Sequence, residues 1–199
     1  MQRRPLALAL VVLFAALAVS ASAAEKPAPP RMKPALVVMD VQNAYLPYMD
    51  ERDKKVGLEM INYAIVLFRD NGFPVIRVYH TEPGQGPAPG TEPFAFPKSV
   101  AIRDEDPMIV KNYPNAFKKT DLDKLLREKG VNTLFLVGLS GVGCVLATYQ
   151  GAEDLDYNVF MVKHALISHD ATLTKSVYEI CSNVSYGPLK LLLETARER

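Results

Sequence analysis

"FLVGLSGVGCVLATYQ", residues 135–150, passes from a block of apolar residues through a cluster of small ones into a pattern with helical spacing. The segment "NTLFLVG" reads as a strand buried on both faces of a parallel sheet, because it is a short continuous apolar run bounded by a glycine. Gly138, Ser140, Gly141 and Gly143 let the backbone turn sharply out of that strand and come close to a ligand. A helix is expected over about residues 143–155, with Cys144 in its first turn. A strand, a tight turn and a helix in this order form the repeating unit of an α/β fold.

The same alternation extends in both directions. "ALVVMD", residues 35–40, is an apolar run closed by a carboxylate. From Asp53 to Asp70 the residues Val56, Met60, Ala64 and Leu67 keep a helical spacing that ends at Asn71 and Gly72. "PVIRVYH" is a second strand, ending at His80, and "MIVKNY" a third. "TDLDKLLREKG" opens a helix with a capping box at Thr120 and Asp123 and closes it at Gly130. "YNVFMVKHA" supplies a further strand, and the segment after Ala171 reads as helical. Residues 81–107 are rich in Pro and Gly and too long for an ordinary connection, which marks a candidate functional loop. No internal repeat is evident. The pattern predicts a doubly wound, mostly parallel sheet with helices on both faces.

The N-terminus has Arg3 and Arg4, an apolar run over residues 6–19 and the small residues Ala21, Ser22, Ala23 and Ala24. That is the pattern of a secretory signal peptide, and the run is shorter than the roughly 20 apolar residues a membrane span needs. Residues 1–24 are therefore read as a signal, 25–34 as a Pro-rich tether and 35–199 as one domain, in a protein that is secreted or periplasmic and free of the membrane once the signal is cleaved. The chain has 199 residues, is 49% hydrophobic and carries a net charge of +1, enough for one core and without the basic stripe that nucleic acid requires. The expected partner is a small-molecule substrate, and the chain is expected to form a homo-oligomer.

In a sheet of this kind ligands bind beyond the carboxyl ends of the strands, where strand order reverses. Asp40, His80, Lys111 and the 138–144 loop all stand at such ends. Each alone has a plainer explanation: an Asp caps or turns the chain, a Lys is solvated, and a single Cys packs as a small hydrophobe. Export would also allow a disulfide between Cys144 and Cys181. Against these, a helix start lowers a thiol's pKa, and the small residues offer amides to an oxyanion. Two near-motifs fail. "GLSGV" has Val142 where a serine elbow needs Gly, and "GVGCVL" has Leu146 where a dinucleotide fingerprint needs its third Gly.

Taken together, "LVVMDVQNAY", "MIVKNYPNAF" and "FLVGLSGVGCVLATYQGAEDLDYNVFMVKHALIS" resemble the three signature blocks of the isochorismatase-like cysteine hydrolases. The resemblance implies a triad of Asp40, Lys111 and Cys144. In it Asp40 takes the thiol proton, Lys111 holds charge and positions Asp40, and Cys144 attacks a carbonyl to form an acyl-enzyme. It also implies a cis peptide at Leu139-Ser140 and an oxyanion hole made of the Ser140 and Cys144 amides. Departures are Gly141, where relatives often have Thr, and His164, where they often have Asp. Nicotinamidase-type members bind a metal through an Asp-x-His element, whereas "PYMDERDKK" carries carboxylates and no histidine, so no metal or other cofactor is expected. The presence of the cysteine favours C-N hydrolysis of a small amide, ureide or carbamoyl compound. The alternatives are vinyl-ether or ester hydrolysis, a papain-like pair of Cys144 with His80, and a non-catalytic binding protein with a Cys144-Cys181 disulfide. Substrate contacts are expected from Tyr45, His80, Tyr113, Phe117 and the 81–107 loop. His164 and His169 read as surface residues, and Asn183 opens a weak glycosylation sequon.

Overall fold

The computed structural model describes residues 31–198, so the segment read as a signal peptide and residues 25–30 of the stretch read as a tether lie outside the described residues. The chain runs β1 (Pro34–Met39), α1 (Glu51–Asp70), β2 (Val75–His80), β3 (Met108–Lys111), α2 (Leu122–Glu128) and β4 (Thr133–Leu139). A π-helical turn (Gly141–Val145) leads into α3 (Leu146–Glu153), followed by β5 (Asn158–Ile167), α4 (Ala171–Ile180), β6 (Asn183–Val184) and α5 (Tyr186–Glu198). The six strands form one sheet in the order β3-β2-β1-β4-β5-β6, and every pairing is parallel. Strand order reverses between β1 and β4, which creates the crevice in which ligands of such sheets bind.

Both central strands are buried along their whole length, and the period of two assigns their side chains to opposite faces. Leu36, Val38, Phe135 and Val137 join Ile61, Ala64, Ile65 and Phe68 of α1 and Leu189 and Leu193 of α5 in one apolar layer. Ala35, Val37, Met39, Leu134 and Leu136 join Leu122 and Leu126 of α2, Tyr149 and Ala152 of α3 and Val177 of α4 in the other. Burying each large side chain contributes about 2 kcal/mol, so the two layers together fix the strand order.

Several element boundaries differ from the sequence expectation. Arg31 and Lys33, within the stretch read as tether, are already tied down. Arg31 donates to the Ala196 carbonyl at 2.6 Å, and the Lys33 amide donates to the Asn132 side chain at 2.8 Å. The first helix begins at Glu51, because Asp50 caps it by accepting the amides of Arg52 and Asp53, each at 2.9 Å. The capping box at Thr120 and Asp123 does not form. Thr120 Oγ1 accepts the Leu122 amide at 3.2 Å, while Asp123 is engaged by Arg127 and the Tyr157 hydroxyl. The helix expected over 143–155 starts earlier, as the wide turn from Gly141, and ends at Glu153.

The 81–107 loop is folded down onto the body of the domain. Phe94 and Phe96 are buried against Tyr79, with ring centroids 4.8 and 4.5 Å away. Arg69 pairs with Asp106, and Arg77 donates to the Asp104 carbonyl at 2.8 Å. The amides of Asn43 and Ala44 donate to the carbonyls of Ala95 and Pro93, each at 2.9 Å, which fastens the loop to the segment just past β1.

Candidate active site

Three strand ends and the turn after a fourth strand build the site. Asp40 follows β1 with φ of 54°, a left-handed conformation that Asp tolerates better than most residues, and this bends the chain out of the sheet. Lys111 closes β3 and is paired in register with His80, which closes β2. Cys144 sits in the π-helical turn after β4, on the opposite side of the switch point from β2 and β3. The cis peptide at Leu139-Ser140 is present at the start of that turn. Two glycines lie in close quarters here. Gly138 has φ of 113°, and a Cβ on it would lie 2.1 Å from the Met39 carbonyl oxygen, while a Cβ on Gly141 would lie 2.9 Å from Ser168 Oγ.

Lys111 is fully buried, and its Nζ lies 2.8 Å from Asp40 Oδ2 and 3.1 Å from His80 Nδ1. The Asp40 contact is one of charge rather than a directed hydrogen bond, and neither carboxylate oxygen has a well-aligned hydrogen-bond partner among the described residues. Ligand atoms of Asp40, His80 and Cys144 all lie within 4.8 Å of one another. This is the place among the described residues where a thiolate, an imidazole and a carboxylate could hold a metal ion. The carboxylates of "PYMDERDKK" are used otherwise: Asp50 caps α1, and Asp53 accepts the Thr174 hydroxyl at 2.7 Å.

Burial pushes the Asp40 carboxyl above its ordinary value, and Lys111 offsets this only in part. His80 is pushed below its ordinary value, first by burial and then by Lys111, so the ring is neutral at neutral pH. The Cys144 thiol is pushed up to about 11 by burial and then by the Asp40 carboxylate. This corrects the expectation of a thiolate favoured by the helix start. Desolvation and a facing negative charge outweigh that influence, and Cys144 rests as a thiol beside a base. Cys144 and Cys181 are both free. The Ser140 amide, one of the two expected oxyanion donors, has no hydrogen-bond partner among the described residues.

Of the expected substrate contacts, Tyr45 and His80 stand at the cluster, with ring centroids 6.0 Å apart and the Tyr45 hydroxyl donating to the His80 carbonyl at 3.4 Å. Tyr113 and Phe117, the other two expected contacts, have close neighbours of their own. Lys118 lies 4.3 Å over the Tyr113 ring and Lys119 donates to its hydroxyl, while Phe117 stacks on Tyr157 at 5.8 Å, next to the entry end of β5. Two residues escaped the sequence reading. Gln42, fully buried, receives the His80 amide at 2.7 Å and donates to the His80 carbonyl at 3.1 Å. Glu82 places Oε1 3.6 Å from His80 Nε2. Two residues past the Asp40 carboxylate, Gln42 carried the only available signal, a polar side chain opening the turn at a strand end.

Residues 34–181 match the family model described as the isochorismatase domain. The chain belongs to the isochorismatase family of hydrolases. It is 32% identical over 139 residues to an uncharacterized isochorismatase family protein of Bacillus subtilis, a match covering 67% of this chain and 77% of the relative. A shorter match, 32% identical over 72 residues, links it to maleamate amidohydrolase of Pseudomonas putida and covers 36% of this chain and 34% of that enzyme. The crystal structure of a protein described as a putative isochorismatase from Burkholderia xenovorans shares the fold, with a TM-score of 0.74 at 22% identity over 84% of this chain and 90% of that one.

Proposed function

We propose that this isochorismatase-family hydrolase cleaves the C-N bond of a small amide, ureide or carbamoyl compound through an acyl-enzyme on Cys144, and that it acts after export. One observation carries this reading: the buried Asp40–Lys111 pair, 2.8 Å apart, shares a cluster with the only thiol at the switch point of the sheet.

The chemistry follows from the resting protonation states. The thiol keeps its proton until a carbonyl carbon is in place, and Sγ then attacks as Asp40 takes that proton. Lys111 opposes the upward push of burial and so favours the ionised carboxylate that accepts the proton. The carbonyl oxygen becomes an oxyanion that the Ser140 and Cys144 amides receive. Asp40 returns the proton to the departing nitrogen as the C-N bond breaks. Water then attacks the thioester, Asp40 accepts its proton, and collapse releases the acid and restores the thiol. The amide preference is supported by the cysteine and by the match to an amidohydrolase, and export by the N-terminal residue pattern.

The test is a panel of small amides, ureides and carbamoyl compounds scored by ammonia release, with intact mass used to trap the acyl-enzyme. Ammonia release with an acyl adduct on Cys144, slowed by about 10²- to 10⁴-fold in Asp40→Asn, is the expected result. Turnover of esters or vinyl ethers alone, or undiminished amide turnover in a Cys144→Ser chain, overturns the covalent C-N reading.

A further inference from the structure

We propose that His80 is a positioning residue: its Nδ1 lone pair holds the Lys111 ammonium where it faces Asp40 and the Cys144 thiol at once. The proposal rests on the Asp40-Lys111-Cys144 reading above and adds to it the part that keeps the lysine in place.

Lys111 is fully buried, and an ammonium has three donors and no acceptor. Among the described residues it lies 2.8 Å from Asp40 Oδ2 and 3.1 Å from His80 Nδ1. Because the lysine can only donate, Nδ1 must be the bare nitrogen, and the ring proton belongs on Nε2. Nε2 points at Glu82 Oε1, 3.6 Å away, which favours that tautomer. The main chain that carries the ring is held firmly. Gln42 pairs with both the amide and the carbonyl of His80, and the Tyr45 hydroxyl adds a third contact. This is more anchoring than a substrate contact alone requires.

The charged and titratable groups around the ring are Lys111 on β3, Asp40 after β1, Tyr45 in the following segment, Cys144 in the turn after β4 and Glu82 beside it in the chain. A proton on Nδ1 would set two cationic donors 3.1 Å apart and drive the ammonium from its place.

The first measurement is ¹⁵N NMR of the full chain, which has only three histidines. His80 should show the Nε2–H tautomer at neutral pH. An Nδ1–H tautomer overturns the proposal even if no variant folds. The second measurement is acylation of Cys144 by p-nitrophenyl acetate, read by intact mass. His80→Leu should slow it by about tenfold or more, and His80→Asn, whose amide oxygen can accept near the same place, should recover most of the rate. The double variant His80→Leu/Lys111→Met should be no slower than Lys111→Met alone, because His80 acts through Lys111. Losses that multiply, or a normal rate in His80→Leu beside a slow Lys111→Met, overturn the positioning role alone. A normal rate in Lys111→Met removes the triad reading beneath it.

Discussion

Replacing Lys111 by Met removes the charge facing Asp40 while keeping a side chain of similar length and shape in a fully buried slot. What remains is a carboxyl with its desolvation uncompensated, and buried carboxyls of that kind reach pKa values of about 8–9. In the folded variant Asp40 is then protonated at pH 7, whereas in the unfolded chain it titrates near 4. The folded value is raised, so between those two limits the folded state binds the extra proton and stability falls as pH rises. Each unit is worth about 1.4 kcal/mol, so the carboxyl weakens the fold by up to about 4 kcal/mol at pH 7 and by about 1.4 kcal/mol at pH 5. The wild-type carboxyl is already raised, which takes part of this out of the difference, and the expected loss is about 2–4 kcal/mol at pH 7. Urea unfolding midpoints at the two pH values measure it. The variant should regain most of its deficit at pH 5, and the Asp40→Asn/Lys111→Met chain should show no such pH dependence. A deficit equal at both pH values, or larger at pH 5, refutes the account of Asp40 as a buried charge held by Lys111.

Cys144→Ser should abolish amide turnover while changing stability by less than about 1 kcal/mol, checked by ammonia release and thermal melting, because volume is nearly kept at a half-buried site. Iodoacetamide modification of Cys144 should still be accelerating above pH 10, where an ordinary thiol of pKa about 8.5 has levelled off, since this thiol is pushed up to about 11. A rate that has levelled off by pH 10, followed by peptide mass, would mean that the thiol is not shielded as described. Dialysis against a strong chelator should leave activity intact; loss that added zinc or iron restores would give Asp40, His80 and Cys144 a metal-binding role.

The two-residue β6 fell in a stretch read as helical, and the choice of Asp40, Lys111 and Cys144 as a triad came from the family resemblance. The other five strands, their order of appearance and the gathering of Asp40, His80, Lys111 and the 138–144 loop at strand ends could be read from residues alone, because buried parallel strands leave continuous apolar runs and their ends mark the crevice. The role of His80 beside Lys111 could not. It depends on the β2–β3 register, which pairs His80 with Lys111 across the sheet and leaves no trace in either segment. The direction of the thiol's shift was misjudged because a helix start is visible in sequence whereas burial and the distance to Asp40 are not. Helical spacing located α3 but missed the wide turn before it, whose residues do not follow a period of 3.6. The lysine side chain over Tyr113 and the stacking of Phe117 on Tyr157 likewise leave no trace in the sequence.

The contact of Gly138 with the Met39 carbonyl has a consequence for how such an enzyme can diversify. The residue before Asp40 and the residue two before Ser140 touch backbone to backbone, closer than any side chain would permit. The spacing between Asp40 and the turn that carries Cys144 is therefore set by the main chain of β1 and β4, and neither a core substitution nor a change in the 81–107 loop reaches it directly. New substrates could be explored by altering that loop, whose Phe94 and Phe96 anchor it independently of the reacting groups. The chemistry is inherited with two strands and one glycine, and selectivity can drift over the top of them.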